Sequence, residues 1–308
     1  MSTVIRQQDL IESIADALQY ISYYHPLDFI QAMERAYERE ANPAAKDAIA
    51  QILINSRMCA QGHRPICQDT GIVTAFLEVG MDLRWDGDMA VEDMVNEGIR
   101  RAYTNSDNTL RASILADPDG ARKNTGDNTP GVIHYRLVPG DKLEVHVAAK
   151  GGGSEAKSKF AMLNPSDSVV DWVLEMVPKM GAGWCPPGLL GVGIGGTAEL
   201  CMKMAKETAL LRPVGTRHPR PDVAELEADL LQALGRRAAE AQALPDLFAN
   251  TVAVLRSGVE FDLALTAHRG EGAVRLPGGR RRAARERSWG GDRDRNRERR
   301  RRPRMHGP

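Results

Sequence analysis

Cysteine is scarce in these 308 residues, and the four that occur, Cys59, Cys67, Cys185 and Cys201, show no paired spacing. With no export signal ahead of them they make no disulfide framework, and a reducing cytosol is the expected compartment. Zinc ribbons and fingers need close C-x2–4-C pairs, whereas Cys59 and Cys67 stand eight apart and Cys185 is distant, so a structural zinc site is disfavoured as well. The first nineteen residues mix Arg6, Asp9, Glu12 and Asp16 among apolar positions, which suits neither a signal peptide nor a membrane span. No apolar stretch approaches the roughly 20 residues that cross a bilayer.

Lysine and isoleucine run out early: the last are Lys206 and Ile194, while twenty-one Arg follow Lys206. The formal charge of zero hides this asymmetry. Residues 280–308 carry thirteen Arg against Glu286, Asp292, Asp294 and Glu298, a net of +9, so residues 1–279 carry −9. An acidic body with a basic end is not one electrostatic object. Composition divides the chain into a folded body at 1–210, a divergent and partly helical segment at 211–265, and an Arg-rich, disordered tail at 266–308. An apolar face at Val223, Leu226, Leu230, Leu231 and Leu234 supports the helix in the middle segment. Enrichment in Arg, Ala, Gly and Pro without Lys or Ile is also what a shifted reading frame in a G+C-rich gene could produce.

The most informative stretch is Pro65-Ile66-Cys67-Gln68-Asp69-Thr70-Gly71, which places a thiol, an amide, a carboxylate and a hydroxyl at four consecutive positions. Two polar side chains beside a cysteine could not share a dry pocket unpaired, so the loop belongs at a cleft, as a metal ligand next to an acid/base group. Three helices lead into it, at residues 11–24 with Asp9 as cap, 27–40 and 43–58; Cys59, at the end of the third, reads as a packed core thiol. A strand at 72–79 and a helix at 91–103 follow. Strands at 132–138 and 142–149 around Pro139-Gly140 read as a hairpin, with His134 and His146 as structural or surface histidines. A helix at 166–176, capped by Ser166 or Asp167, is stopped by Pro178. The fold class expected is α+β, with helices and antiparallel strands.

Two further segments carry chemistry. Lys150-Gly151-Gly152-Gly153-Ser154 is either a flexible loop or a set of backbone amides shaped for an anion. Gly183-Trp184-Cys185-Pro186-Pro187 holds a cysteine at a rigid point. Gly191-Val192-Gly193-Ile194-Gly195-Gly196 matches G-x-G-x-x-G by letter, but no βαβ unit surrounds it and no acidic residue follows at the required distance. Cys201, in the helix at 197–207, reads as core. Arg111 is an ordinary surface charge unless it lies near a carboxylate-binding cleft, where its fork would hold an anion bidentately.

These motifs, in this order and separation, resemble the class I iron–sulfur fumarate hydratases and the related L-tartrate dehydratase α subunit, over about residues 1–210. The resemblance implies a hydro-lyase interconverting fumarate and L-malate through a [4Fe–4S] cluster with one open iron. It assigns Cys67 and Cys185 as cluster ligands, Asp69 as acid/base, and Gln68, Asp69, Arg111 and the amides of Gly151, Gly152 and Gly153 as contacts to a small dicarboxylate. Two ligands of one cluster must converge, so Cys67 and Cys185 are expected side by side. A homo-oligomer or a separate β-type subunit is the implied partner, since further substrate groups, including a proton-transferring threonine, come from a second domain. A third family cysteine should follow Cys185 by about ninety to a hundred residues, yet none follows Cys201. This chain by itself is therefore expected to be an incomplete enzyme. A nucleic-acid reading of the Arg run, which holds the single aromatic Trp289, is the weaker alternative.

Overall fold

In the computed structural model, residues 3–181, 188–240, 251–256, 262–269 and 274–277 are described. Strand β1 (Val4–Arg6) leads into α1 (Gln7–Tyr23), α2 (Leu27–Arg39) and α3 (Pro43–Gly62), followed by β2 (Ile72–Gly80), β3 (Arg84–Asp86) and α4 (Val91–Tyr103). Two short strands, β4 (Leu115–Ala116) and β5 (Lys123–Asn124), precede β6 (Val132–Val138), β7 (Leu143–Lys150), the single turn α5 (Gly152–Glu155) and β8 (Lys159–Met162). The chain continues as α6 (Val169–Lys179), β9 (Gly188–Ile194), α7 (Ala198–Leu211), α8 (Pro221–Glu240), β10 (Thr251–Arg256), β11 (Asp262–Arg269) and β12 (Val274–Pro277). Mixed helices and strands make the fold α+β. The boundary expected near residue 265 falls inside β11, and the Arg run from Arg280 onward lies outside the described residues.

The first sheet has the order β12-β7-β2-β6. The expected hairpin does not form. β2 lies between the two strands, parallel to β6 and antiparallel to β7. Alternation at Leu143, Val145 and Val147 reports which face is buried and says nothing about which strand is the neighbour. The link between β6 and β7 instead passes over the end of β2, where Gly80 N–H donates to Lys142 O at 2.8 Å and Met81 N–H to Val138 O at 2.9 Å. A Cβ on Gly80 would sit 2.7 Å from Lys142 N.

Helices α1 and α4 lie on one face of this sheet. Leu10, Ile11, Ile14 and Leu18 of α1 and Val95 and Ile99 of α4 join Val73, Leu77, Val145 and Val147 in one apolar core. Burying each of the large aliphatic side chains contributes about 1.5–3 kcal/mol. α1 begins two residues before Asp9, with Arg6 in the N-cap position and no side-chain cap bond. Asp9 lies in the first turn instead and pairs with Arg6 at 2.8 Å. α3 starts on Asn42, whose side chain accepts from Ala44 N–H at 3.0 Å, with Pro43 at the first helical position.

The second sheet has the order β10-β9-β11-β8. Its core joins Val173 and Val177 of α6, Leu190 and Val192 of β9, and Val223, Leu230 and Leu234 of α8. Ser168 caps α6, accepting from Asp171 N–H at 3.2 Å, and Pro178 sits within its last turn. The α6 cap therefore lies two residues beyond Ser166, and the helix runs three residues past its expected end at 176, through Pro178 to Lys179. α7 packs between the two halves: Leu210 meets Phe76 and Ala148 of the first sheet, while its other side covers Gly191 and Gly193 of β9. A Cβ on Gly191 would fall on the carbonyl oxygen of Ala205, and one on Gly193 on that of Cys201. The G-x-G letters thus serve close helix–strand packing. Gly193→Ala is expected to cost about 1–3 kcal/mol through overpacking, read as a lower denaturant midpoint at unchanged m-value. A parental midpoint would show that α7 yields freely.

Candidate active site

The Cys67 loop is built from both directions. α3 closes at His63, which is left-handed at φ 48°, and Arg64 N–H donates to Cys59 O at 3.1 Å, turning the chain back. Ile66 N–H then donates to Ser22 O at 2.8 Å, and Asn55 Nδ2 donates to Ile66 O at 3.0 Å. The residue before Cys67 is thereby pinned to α1 and α3 at once. After the loop, Gly71 has φ 94°, and a Cβ there would lie 2.7 Å from Ala149 C and 2.9 Å from Lys150 N. Only glycine allows both the conformation and the approach.

Two side chains far off in sequence secure the same turn. The Tyr103 hydroxyl lies 2.8 Å from Thr70 O and 3.2 Å from Gly71 O. Fully buried Asn128 donates from Nδ2 to Gly71 O at 2.9 Å, and its Oδ1 accepts from Ser113 N–H at 2.9 Å. Thr70 Oγ1 donates to the Arg111 carbonyl at 2.7 Å. Arg111 is thus tied to the loop by its main chain, and the residue itself is exposed.

Asp69 is held at both carboxylate oxygens by backbone donors. Gly71 N–H lies 3.3 Å from Oδ1 and Gly152 N–H 2.8 Å from Oδ2. Cys67 Sγ accepts from Asp69 N–H at 3.4 Å and lies 3.4 Å from Gln68 Oε1, to which its thiol can donate. The structure therefore brings Cys67, Gln68, Asp69 and Gly152 together. The glycine segment is a helical turn and not an open loop. Gly151 is buried, Gly153 is exposed, and the Gly152 amide is directed at Asp69.

A cavity opens beside the loop, walled by Leu18, Ile21, Ile66 and Ala149 and given polar character by Ser22, His25, Cys67, Asp69 and Thr70. His25 has Nδ1 3.0 Å from Ser56 Oγ, and its ring stacks on Phe29 with centroids 4.6 Å apart. Sequence reasoning passed over His25, Tyr103 and Asn128. The break at Pro26 was a signal for the first, and the polar run at 123–130 for the last. His134, half-buried, stacks on Phe76, and burial first, then Lys203, lowers its affinity for a proton. His146 pairs with Glu144 at 2.8 Å. Both keep the structural role expected of them.

The thiols differ sharply. Cys59 is buried, 3.6 Å from Asn55 Oδ1 and Pro65 O, and burial pushes its thiol up. Cys201 is fully buried with Sγ 3.1 Å from Gly193 O. Both are core, as read from sequence. Cys67 is partly exposed in a polar cleft, within reach of a backbone N–H, and fits a cluster-ligand position. Cys185, with its flanking Trp184 and prolines, lies outside the described residues. Among the described residues no three His, Cys, Asp or Glu converge as a metal site. They do not by themselves complete a cluster, and no helix among them is long and apolar enough to cross a membrane.

Residues 11–244 match the family described as Fumarate hydratase (Fumerase). The match passes the composition shift at residue 210 and takes in α8, so the likeness reaches further than the motifs alone indicate. A Methanocaldococcus jannaschii protein named "Putative L(+)-tartrate dehydratase subunit alpha" is 32% identical over 225 residues, covering 71% of this chain and 78% of that protein. "L(+)-tartrate dehydratase subunit alpha" of Escherichia coli is 30% identical over 230 residues, covering 74% of this chain and 75% of that protein. The Shigella boydii protein of the same name aligns to the same extent, 30% over 230 residues. On the extent of these matches, which take in the Cys67 loop, the chain belongs to the fumarate hydratase (Fumerase) family.

Proposed function

We propose that this chain is the cluster-bearing part of a hydro-lyase that interconverts fumarate and L-malate. The observation that carries the reading is the Asp69 carboxylate, fixed by Gly152 and Gly71 N–H groups beside Cys67 at the edge of a cavity. Dehydration of a 2-hydroxy dicarboxylate removes a proton from the carbon next to one carboxylate and the hydroxyl from the neighbouring carbon. Asp69 is the group placed to exchange a proton there, and two backbone donors hold its orientation without a mobile side chain. Gln68, next to it on the exposed side, and Arg111, fastened by its carbonyl to Thr70, are the proposed contacts to the substrate carboxylates. Gly151 and Gly153 are the further proposed backbone contacts to the substrate, while the Gly152 amide is engaged by Asp69 and orients that carboxylate instead. A [4Fe–4S] cluster bound through Cys67 and Cys185 would supply Lewis-acid chemistry at the departing hydroxyl.

A second reading, L(+)-tartrate as substrate, is favoured by the names of the relatives, which also imply a separate partner subunit. The rest of the pocket would come from that subunit or from a second copy of the chain, and the cytosol is the proposed compartment. Turnover of malate and tartrate by an anaerobically reconstituted assembly separates the two substrates, and preference for tartrate overturns the first.

Asp69→Asn is expected to keep the fold and iron content while turnover falls by about 10²-fold or more. Near-normal turnover would leave Asp69 as a loop hydrogen-bonder. The chain alone, supplied with iron and sulfide, is expected to hydrate fumarate poorly beside a version in which residues after 210 are replaced by a family-like second half. Robust activity from the unmodified chain would show that its own residues complete the site.

A further inference from the structure

The turn that presents Gly152 to Asp69 has little reason to hold its shape. α5 is four residues long, Gly152-Gly153-Ser154-Glu155. Glycine is among the poorest helix formers, and one isolated turn fixes more dihedrals than its hydrogen bonds repay. Local support comes from Glu155 N–H to Gly151 O at 2.9 Å and Ser154 Oγ to Gly151 O at 3.0 Å.

Stronger support comes from charge. Lys150, the last residue of β7, is 1% exposed, and its Nζ lies 2.9 Å from Glu155 Oε2. Lys206 reaches in from α7, with Nζ 2.8 Å from Glu155 Oε1. One carboxylate thus bridges two ammonium groups from different elements, one on each of its oxygens. Burial pushes the Glu155 carboxyl up, but Lys150 and then Lys206 outweigh it and hold the group below its ordinary range. A buried cation keeps its charge only beside a counter-charge, so Lys150 and Glu155 fix one another. The far end of α5 is closed by this triad and its near end by the bond to Asp69.

We propose that Glu155 is a positioning residue for the candidate active site: clamped between Lys150 and Lys206, it fixes the turn from which Gly152 orients Asp69. The inference rests on Asp69 as the proton-exchanging group. Lys206 belongs to α7, so the clamp also couples the site to the helix between the two sheets.

The test uses the full chain in its reconstituted assembly, with backbone amide exchange and steady-state kinetics measured on the same samples. Glu155→Gln alone strands the Lys150 ammonium and can fail to fold, so it is made together with Lys150→Met. The double variant is expected to exchange the Gly152 amide about tenfold faster or more, with kcat down by about 10-fold or more and KM within about threefold. Lys206→Met should show the same split more weakly, and Lys206→Arg should recover most of that loss. A folded double variant with unchanged Gly152 exchange overturns the clamp, whether or not the parent turns over any substrate. Faster exchange in a chain whose parent is inactive on every dicarboxylate and hydroxy acid upholds the clamp and counts against the hydro-lyase reading alone.

Discussion

The backbone at residue 71 passes so near the Ala149–Lys150 peptide that no side chain fits between them. Much of the site follows from that approach. β2 starts at Ile72 opposite Lys150, in antiparallel register with β7, so the loop carrying Cys67 ends where β7 ends. The residues just beyond Lys150 must then lie against the residues just before Gly71. Asp69 meets Gly152 for this reason, although 83 positions separate them. Tyr103 and Asn128 add donors to the carbonyls that the turn would otherwise leave buried and unpaired, a deficit that folded chains rarely tolerate.

How much of this was legible beforehand depends on the range of the interaction. Residues 67–71 declared a cleft by their own chemistry, because polar neighbours of a cysteine need partners. The strand at 72–79 and the helix at 91–103 followed from local composition and period, and the structure places them within a residue. Helix starts were less secure. Arg6, Asp9, Ser166 and Ser168 all lie within reach of a first turn, and the choice among them rests on backbone geometry that no letter encodes. Pairing of β2 with both β6 and β7 was hidden altogether, since a strand's alternation is the same whichever neighbour it has. The triad of Lys150, Glu155 and Lys206 was equally hidden, since nothing in the order of the residues says that Lys206 of α7 meets Glu155 of α5.

Glycine pattern and cysteine count also divide along this line. Gly71, Gly191 and Gly193 each stand where another backbone comes too close for a Cβ, yet in the sequence the last two imitate a nucleotide-binding fingerprint. A motif of small residues is therefore ambiguous between room for a ligand and room for a helix. Cysteines were easier to sort, because their place in the chain goes with their burial. Cys59 and Cys201 lie within helices and are buried, whereas Cys67 stands in a polar loop and is not.

The position of β2 between two later strands has a consequence for synthesis on the ribosome. Both neighbours of β2, at residues 132–138 and 143–150, emerge after it. Until roughly the first half of the chain has appeared, the apolar faces of α1 and α4 have no completed sheet to cover, and β2 itself has two open edges. Long-range strand pairing of this kind is slow and leaves apolar surface waiting. The amino-terminal helices are thus the part of the newborn chain most in need of protection from other chains, and the link over Gly80 closes that interval by delivering the second neighbour within a few residues of the first.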